Sequence, residues 1–146
     1  MAERKSSRIV LRDDMIFTAY SSNGYSVPLD AQKAVGGHDA GISPMELLLT
    51  ALAGCTGMDV ISILRKKQQQ VTGFEVQVEG VRADEHPRVF TEIWVKYTIT
   101  GQNIDPRAVE RAIELSRDKY CGAAATLRHT AHIHYDYVIV ETEEVP

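Results

Sequence analysis

Residues 43–67, SPMELLLTALAGCTGMDVISILRKK, constrain this chain more than any other stretch. The spacing predicts one long helix with clear punctuation. Ser43 is a good N-cap, Pro44 suits the first helical position, and Glu46 completes a Ser-x-x-Glu capping box. Arg65, Lys66 and Lys67 gather at the end where the helix dipole is negative. Leu47, Leu48, Leu49, Leu52, Met58, Val60, Ile61, Ile63 and Leu64 cover nearly the whole circumference, and a helix apolar on every side must be buried on every side. Glu46 and Asp59 argue against a membrane span, because hydrocarbon is a costly place for a carboxylate. In a chain of 146 residues, one sheet and two short helices can scarcely enclose such a helix. A second copy of the chain, packed helix against helix, is therefore expected. Gly54 and Gly57 interrupt the centre of the helix, each costing about 1 kcal/mol relative to alanine. Close approach of another backbone would offset that cost, with Ala53 and Gly57, four apart, sharing the face.

The remaining segments read as strands around helices. IVLRD, MIFTAY and YSVPLDA carry β-branched and aromatic residues, and SSNG is a turn signal, so residues 8–30 form a small antiparallel meander. QKAVGGHDAGIS is a Gly-rich loop. FEVQVEGVRA and FTEIWVKYTIT alternate apolar and polar residues with the period of half-buried strands, joined through EHPR. DPRAVERAIELSRDKY is an amphipathic helix capped by Asp105, with Val109, Ala112, Ile113 and Leu115 on its apolar side. CGAAATLRH is a short helix and AHIHYDYVIVE a last strand. Strands grouped around helices indicate an α+β fold with mostly antiparallel sheets and a long buried central helix. No linker or repeat divides the chain, so 1–146 is expected to be a single domain.

An apolar content of 44% and a charged content of 25% are ordinary for a globular protein. The net charge of −4 gives no basic face for nucleic acid. No apolar run follows the basic residues of MAERKSSRIVLRDD, so no signal peptide is read there and a cytoplasmic location is expected. Structural disulfides are rare in that compartment. The two cysteines thus pose a question of chemistry or burial.

Cys55 has a bland reading, a small buried hydrophobe whose thiol is inert. To react, it needs a cation or donor that stabilises the thiolate. Cys121 opens the short helix, where the dipole favours a thiolate, with Arg117 and Lys119 nearby. The pair lies 66 residues apart, and bonding requires Cα atoms within about 4.4–6.8 Å. His132 and His134 alternate on the last strand and share a face, a candidate pair of ligands. Without CxxC or HExxH they read as ordinary surface histidines, as does His38 without a partner, and neither a metal nor another cofactor is expected. The chain has no GxSxG elbow and no phosphate-binding GxxxxGK[ST].

The Pro-to-Cys spacing of the long helix, the second cysteine in DKYCGAAATLRH and the strand order between them resemble the OsmC/Ohr family, osmotically inducible protein C and organic hydroperoxide resistance proteins, over residues 8 to 141. The resemblance implies an intertwined α+β homodimer with two central helices packed together. It also implies cofactor-free thiol peroxidase chemistry in the oxidative stress response. Cys55 would be the peroxidatic residue, Cys121 would resolve it as a disulfide, and a dithiol reductant would regenerate both. Two departures mark an OsmC-like branch without the usual Arg–Glu pair. Met45 stands where the family's characterised peroxidases carry Glu, and Met15 where they carry Arg. Glu46 and Arg12 are the nearest supporting candidates, with Arg88 and Arg128 further off. The alternative is a non-enzymatic OsmC-like protein that binds a small hydrophobic or electrophilic ligand near the two cysteines.

Overall fold

A computed structural model describes residues 2–143. Two three-stranded sheets and three helices make up the mixed α+β fold. The chain divides into two compact units, with the boundary between Leu48 and Leu49, partway along the long helix.

The first unit holds the expected meander: β1 (Ser7–Asp13), β2 (Ile16–Ser21) and β3 (Ser26–Leu29), all antiparallel. The SSNG turn closes through Gly24, whose φ of 89° suits a residue without Cβ. The Gly-rich loop after β3 is organised by Asp30. Its buried carboxylate accepts the backbone N–H groups of Ala31, His38 and Ala40 at 2.7, 2.9 and 3.0 Å. His38, unremarkable in the sequence, has a partner after all: its Nε2 lies 2.7 Å from Asp14 Oδ2.

Helix α1 spans Pro44–Lys66. Ser43 caps it as expected, its Oγ accepting the Glu46 N–H at 3.3 Å. The helix is long and apolar enough to cross a membrane, with mean hydropathy 1.9, and only part of it is buried. Leu52, Thr56, Val60 and Leu64, each four apart, form its buried stripe. Enclosing Leu52, Val60 and Leu64 contributes about 1.5–3 kcal/mol per side chain. Gly57 belongs to this stripe, and the structure reassigns it. A Cβ there would meet Val76 at 3.3 Å and Phe74 at 3.7 Å, so the glycine admits the chain's own sheet rather than a partner helix. Gly54 is the one with open space around it. The rest of the helix is less covered, with Leu48 and Met58 exposed.

In the second unit, β4 (Gln70–Arg82) pairs antiparallel with β5 (Phe90–Gln102), and β5 pairs with β6 (His132–Glu141) in parallel. A parallel neighbour requires a long crossover. Here it is α2 (Pro106–Leu115), a five-residue π turn (Ser116–Tyr120) and α3 (Gly122–Leu127). Asp105 caps α2 by accepting the Arg107 N–H at 2.9 Å. The core joins Ile93, Val95, Tyr97 and Ile99 of β5 with Val109, Ala112 and Ile113 of α2. Alternate residues of β5, among them Glu92 and Trp94, point the other way.

Candidate active site

Cys55 sits at the midpoint of α1. Cys121 comes directly after the π turn, and the turn is what places it. An α-helical hydrogen bond spans four residues, whereas the N–H of Cys121 reaches back five residues to the Ser116 carbonyl at 2.8 Å. Cys121 then caps α3, its Sγ accepting the Ala124 N–H at 3.3 Å. The result brings the two sulfurs and a carboxylate oxygen of Asp59 within 4.8 Å of one another. Both cysteines are unbridged, Cys121 buried and Cys55 half-buried.

Asp59 is the residue that sequence reasoning missed. It stands four positions after Cys55, and residues four apart share a helix face. Its Oδ2 accepts a hydrogen bond from Ser116 Oγ at 2.9 Å. Ser116 Oγ lies 2.8 Å from Thr56 Oγ1, which lies 2.6 Å from the Tyr97 hydroxyl. With Ser116 donating to the carboxylate, its oxygen is left to accept from Thr56, and Thr56 in turn accepts from Tyr97. Each hydroxyl thus points its single proton toward Asp59. Thr56, Ser116 and Tyr97 are fully buried, so the chain satisfies groups that burial would otherwise penalise.

Burial pushes the Cys121 thiol up to about 11. The Ala124 N–H opposes the shift, while the hydrogen bond and charge of Cys55 and the charge of Asp59 add to it. The helix N-terminus was expected to depress this thiol, but desolvation of a buried sulfur wins over one backbone donor. Burial likewise raises the Tyr135 hydroxyl to about 12, with the charge of Cys121 next in size. Groups with a raised folded pKa hold their protons more tightly in the folded state. Their stabilisation is complete below the unfolded values, 9.0 for the thiol and 10.0 for the phenol. It is lost as pH climbs through about 11 and about 12. Denaturant midpoints are therefore expected to fall as pH rises above about 9, with a shallower fall in Cys121→Ala.

The cations near Cys121 in sequence are engaged elsewhere. Arg117 grips Asp118 through Nε and an NH2 group at 2.8 and 2.9 Å, and Lys119 rests 5.2 Å above the Tyr120 ring. Arg128 caps α3 and, with Arg117, Ala124 and Tyr135, lines a cleft of about 590 Å³. Arg88, in the β4–β5 connection, donates to the Ala83 carbonyl at 3.4 Å. In the first unit, Arg12 Nε donates to Thr18 Oγ1 at 3.1 Å and its terminal nitrogen to the Tyr20 hydroxyl. A second cleft, of about 580 Å³, has Asp59 in its wall together with Met58, Ile63, Leu115, Tyr120 and two cations, Lys66 and Lys67. It gives the carboxylate a mostly apolar approach.

The two sulfurs thus lie within 4.8 Å of each other, one half-buried and one buried, and the fold that brings them together is one already known. The profile of the family described as OsmC-like protein matches residues 37–136. The chain is 35% identical over 134 residues to Protein YhfA of Escherichia coli strain K12, covering 92% of this chain and 97% of that one. A hypothetical protein from Aquifex aeolicus VF5 superposes with a TM-score of 0.85 at 30% identity, over 97% of this chain and 100% of its own. An organic hydroperoxide resistance protein OsmC from Legionella pneumophila shares the fold alone, with TM-score 0.71 and 12% identity over 94% and 98% of the two chains. The chain belongs to the OsmC-like protein family.

Proposed function

We propose that the protein is a thiol-dependent peroxidase that reduces organic hydroperoxides, with Cys55 as the attacking residue and Cys121 as the resolving one. The observation that carries this reading is the convergence of two sulfurs from distant parts of the chain beside Asp59. The family and its hydroperoxide-resistance neighbours link the fold to hydroperoxide and stress response.

The Cys55 thiol gives its proton to Asp59 and its sulfur attacks the distal peroxide oxygen. The O–O bond breaks, an S–O bond forms, and the leaving alkoxide takes the proton from Asp59 as an alcohol. Cys55 is now a sulfenic acid. Cys121 gives its proton to Asp59 and attacks that sulfur as thiolate, the S–S bond forms, and the departing hydroxide takes the proton back from Asp59 as water. An external dithiol reduces the disulfide and supplies the two electrons of the cycle. The Met58–Ile63–Leu115–Tyr120 cleft beside Asp59 favours alkyl peroxides over hydrogen peroxide. Arg12, engaged by Thr18 and Tyr20, and Glu46 keep secondary, supporting parts. The uncovered side of α1, with Leu48 and Met58, fits the expected homodimer, and two free thiols fit the reducing cytoplasm.

One equivalent of cumene hydroperoxide added to reduced protein is expected to consume both thiols and lower the mass by two hydrogens, with the bridge mapped to Cys55–Cys121. Retention of both thiols under excess peroxide would discard the peroxidase. The apolar cleft would then favour the alternative, a binding protein for a small hydrophobic or electrophilic molecule.

A further inference from the structure

On the face of the second sheet opposite Tyr97, two strands gather a second set of groups that the thiol chemistry does not use. The parallel register sets His132 of β6 against Glu92 of β5, and His134 against Trp94. Residues two apart on a strand share a face, so both imidazoles stand over the same carboxylate. His134 Nε2 lies 2.6 Å from Glu92 Oε2 and His132 Nδ1 lies 3.9 Å from that same oxygen. The two rings are 4.2 Å apart, centre to centre. The three ligand atoms all lie within 4.8 Å of one another. A hydrogen bond explains His134. It does not explain His132, which turns its nitrogen to the same oxygen from beyond hydrogen-bond reach.

We propose that Glu92, His132 and His134 form a binding site for a divalent transition ion, Zn²⁺ by the character of its donors. Two imidazole nitrogens and one carboxylate oxygen are the donor set of open zinc sites, in which a fourth position is left to water or a ligand. Imidazole donors favour Zn²⁺, Cu²⁺ and Ni²⁺ over Mg²⁺ and Ca²⁺, which prefer all-oxygen shells. Metal–ligand bonds of about 2.0–2.2 Å hold tetrahedral ligand atoms roughly 3.3 Å apart. The His132 contact must therefore shorten slightly and the His134 contact open. Both moves are small, and His132 and Glu92 have the freedom to make them, their side chains being 71% and 41% exposed. His134 is the restrained member, since its ring stacks on Trp94 at 5.5 Å and 13°. That stack fixes the orientation of one ligand before the ion arrives, the task an outer partner performs at metal sites. The sequence offered only the two histidines. The third donor lies on another strand, forty residues away, and only the register joins them. The site is independent of the peroxidase reading.

Cys55, Asp59 and Cys121 form the other cluster that could hold a metal among the described residues, so the test removes it first. Full-length Cys55→Ser/Cys121→Ser protein, stripped with chelator, is titrated with CuCl₂ while its fluorescence is followed. Trp94 is the only tryptophan in the chain, and Cu²⁺ quenches indole at close range. Quenching is expected to saturate at one ion per chain and to be reversed by ZnCl₂. Calorimetric titration with ZnCl₂ alone should give the same stoichiometry. Adding His132→Ala, at an exposed position, or Glu92→Gln, at a half-buried one, is expected to weaken each ion at least tenfold while leaving the unfolding temperature of the metal-free protein in place. Quenching that fails to saturate, or affinities unchanged by both substitutions, would overturn the site.

Discussion

Replacing Cys55 with serine is expected to remove the consumption of cumene hydroperoxide in the presence of a dithiol, by a hundredfold or more. Loss of a covalent nucleophile is among the largest effects a single substitution produces, on the order of 10² or greater. A hydroxyl in the same place is a far poorer nucleophile toward peroxide oxygen and cannot form the sulfenic acid. Cys121→Ser should behave differently. Its first turnover proceeds, the sulfenic acid accumulates on Cys55 where a dimedone adduct traps it, and steady turnover falls to the rate at which the dithiol attacks directly. The raised thiol pKa at Cys121, about 11, adds a diagnostic to the wild-type reaction. Only the thiolate resolves, so disulfide formation should accelerate roughly tenfold per pH unit up to that value. If Cys121 were the attacking residue, the two variants would exchange behaviours.

Thr56→Val should cost about 2–3 kcal/mol of folding stability, read as a fall in melting temperature of roughly 5–10 °C at fixed protein concentration. Valine nearly matches threonine in shape, so packing is preserved and the hydrogen bonds are what change. The Tyr97 hydroxyl loses its acceptor and Ser116 Oγ loses its donor, both at sites without water access. Orphaned buried groups are worth about 1–3 kcal/mol each. Tyr97→Phe on the same background should recover part of the loss, since it withdraws the orphaned hydroxyl, and that non-additivity is the signature of a shared network. A thermal melt of Thr56→Val that matches wild type would show that the chain of hydroxyls carries no stability.

The helices were legible because their ends carry local chemistry. Ser43 and Asp105 accept the very N–H groups that their positions in the sequence indicate. The meander and the β4–β5 hairpin could be read from period-two alternation and turn residues. The parallel pairing of β6 was not legible: grouping strands around helices hid the one crossover that α2 and α3 make. The two cysteines stood out as rare residues, but their environment did not. Thr56 and Ser116 are small polar residues inside apolar runs, with no pattern to mark them, and their meaning comes from partners 41 and 60 positions away. Asp59 alone had a readable signal in its helical spacing from Cys55. Gly57 was read toward a partner helix because nothing in a sequence says which neighbour fills the space above a glycine.

The π turn between α2 and α3 has a consequence for how this chain can vary. Ser116 is buried and Tyr120 walls the cleft beside Asp59, but Arg117, Asp118 and Lys119 face solvent, so the letters at those three can be exchanged at little cost. Their number cannot. Each residue added to or taken from a helical turn rotates the downstream chain by about 100°, enough to swing the Cys121 sulfur out of reach of Cys55. The segment works as a spacer of fixed count whose three middle letters are free. A relative that differs here by one insertion or deletion could keep both cysteines and still lose the meeting of their sulfurs.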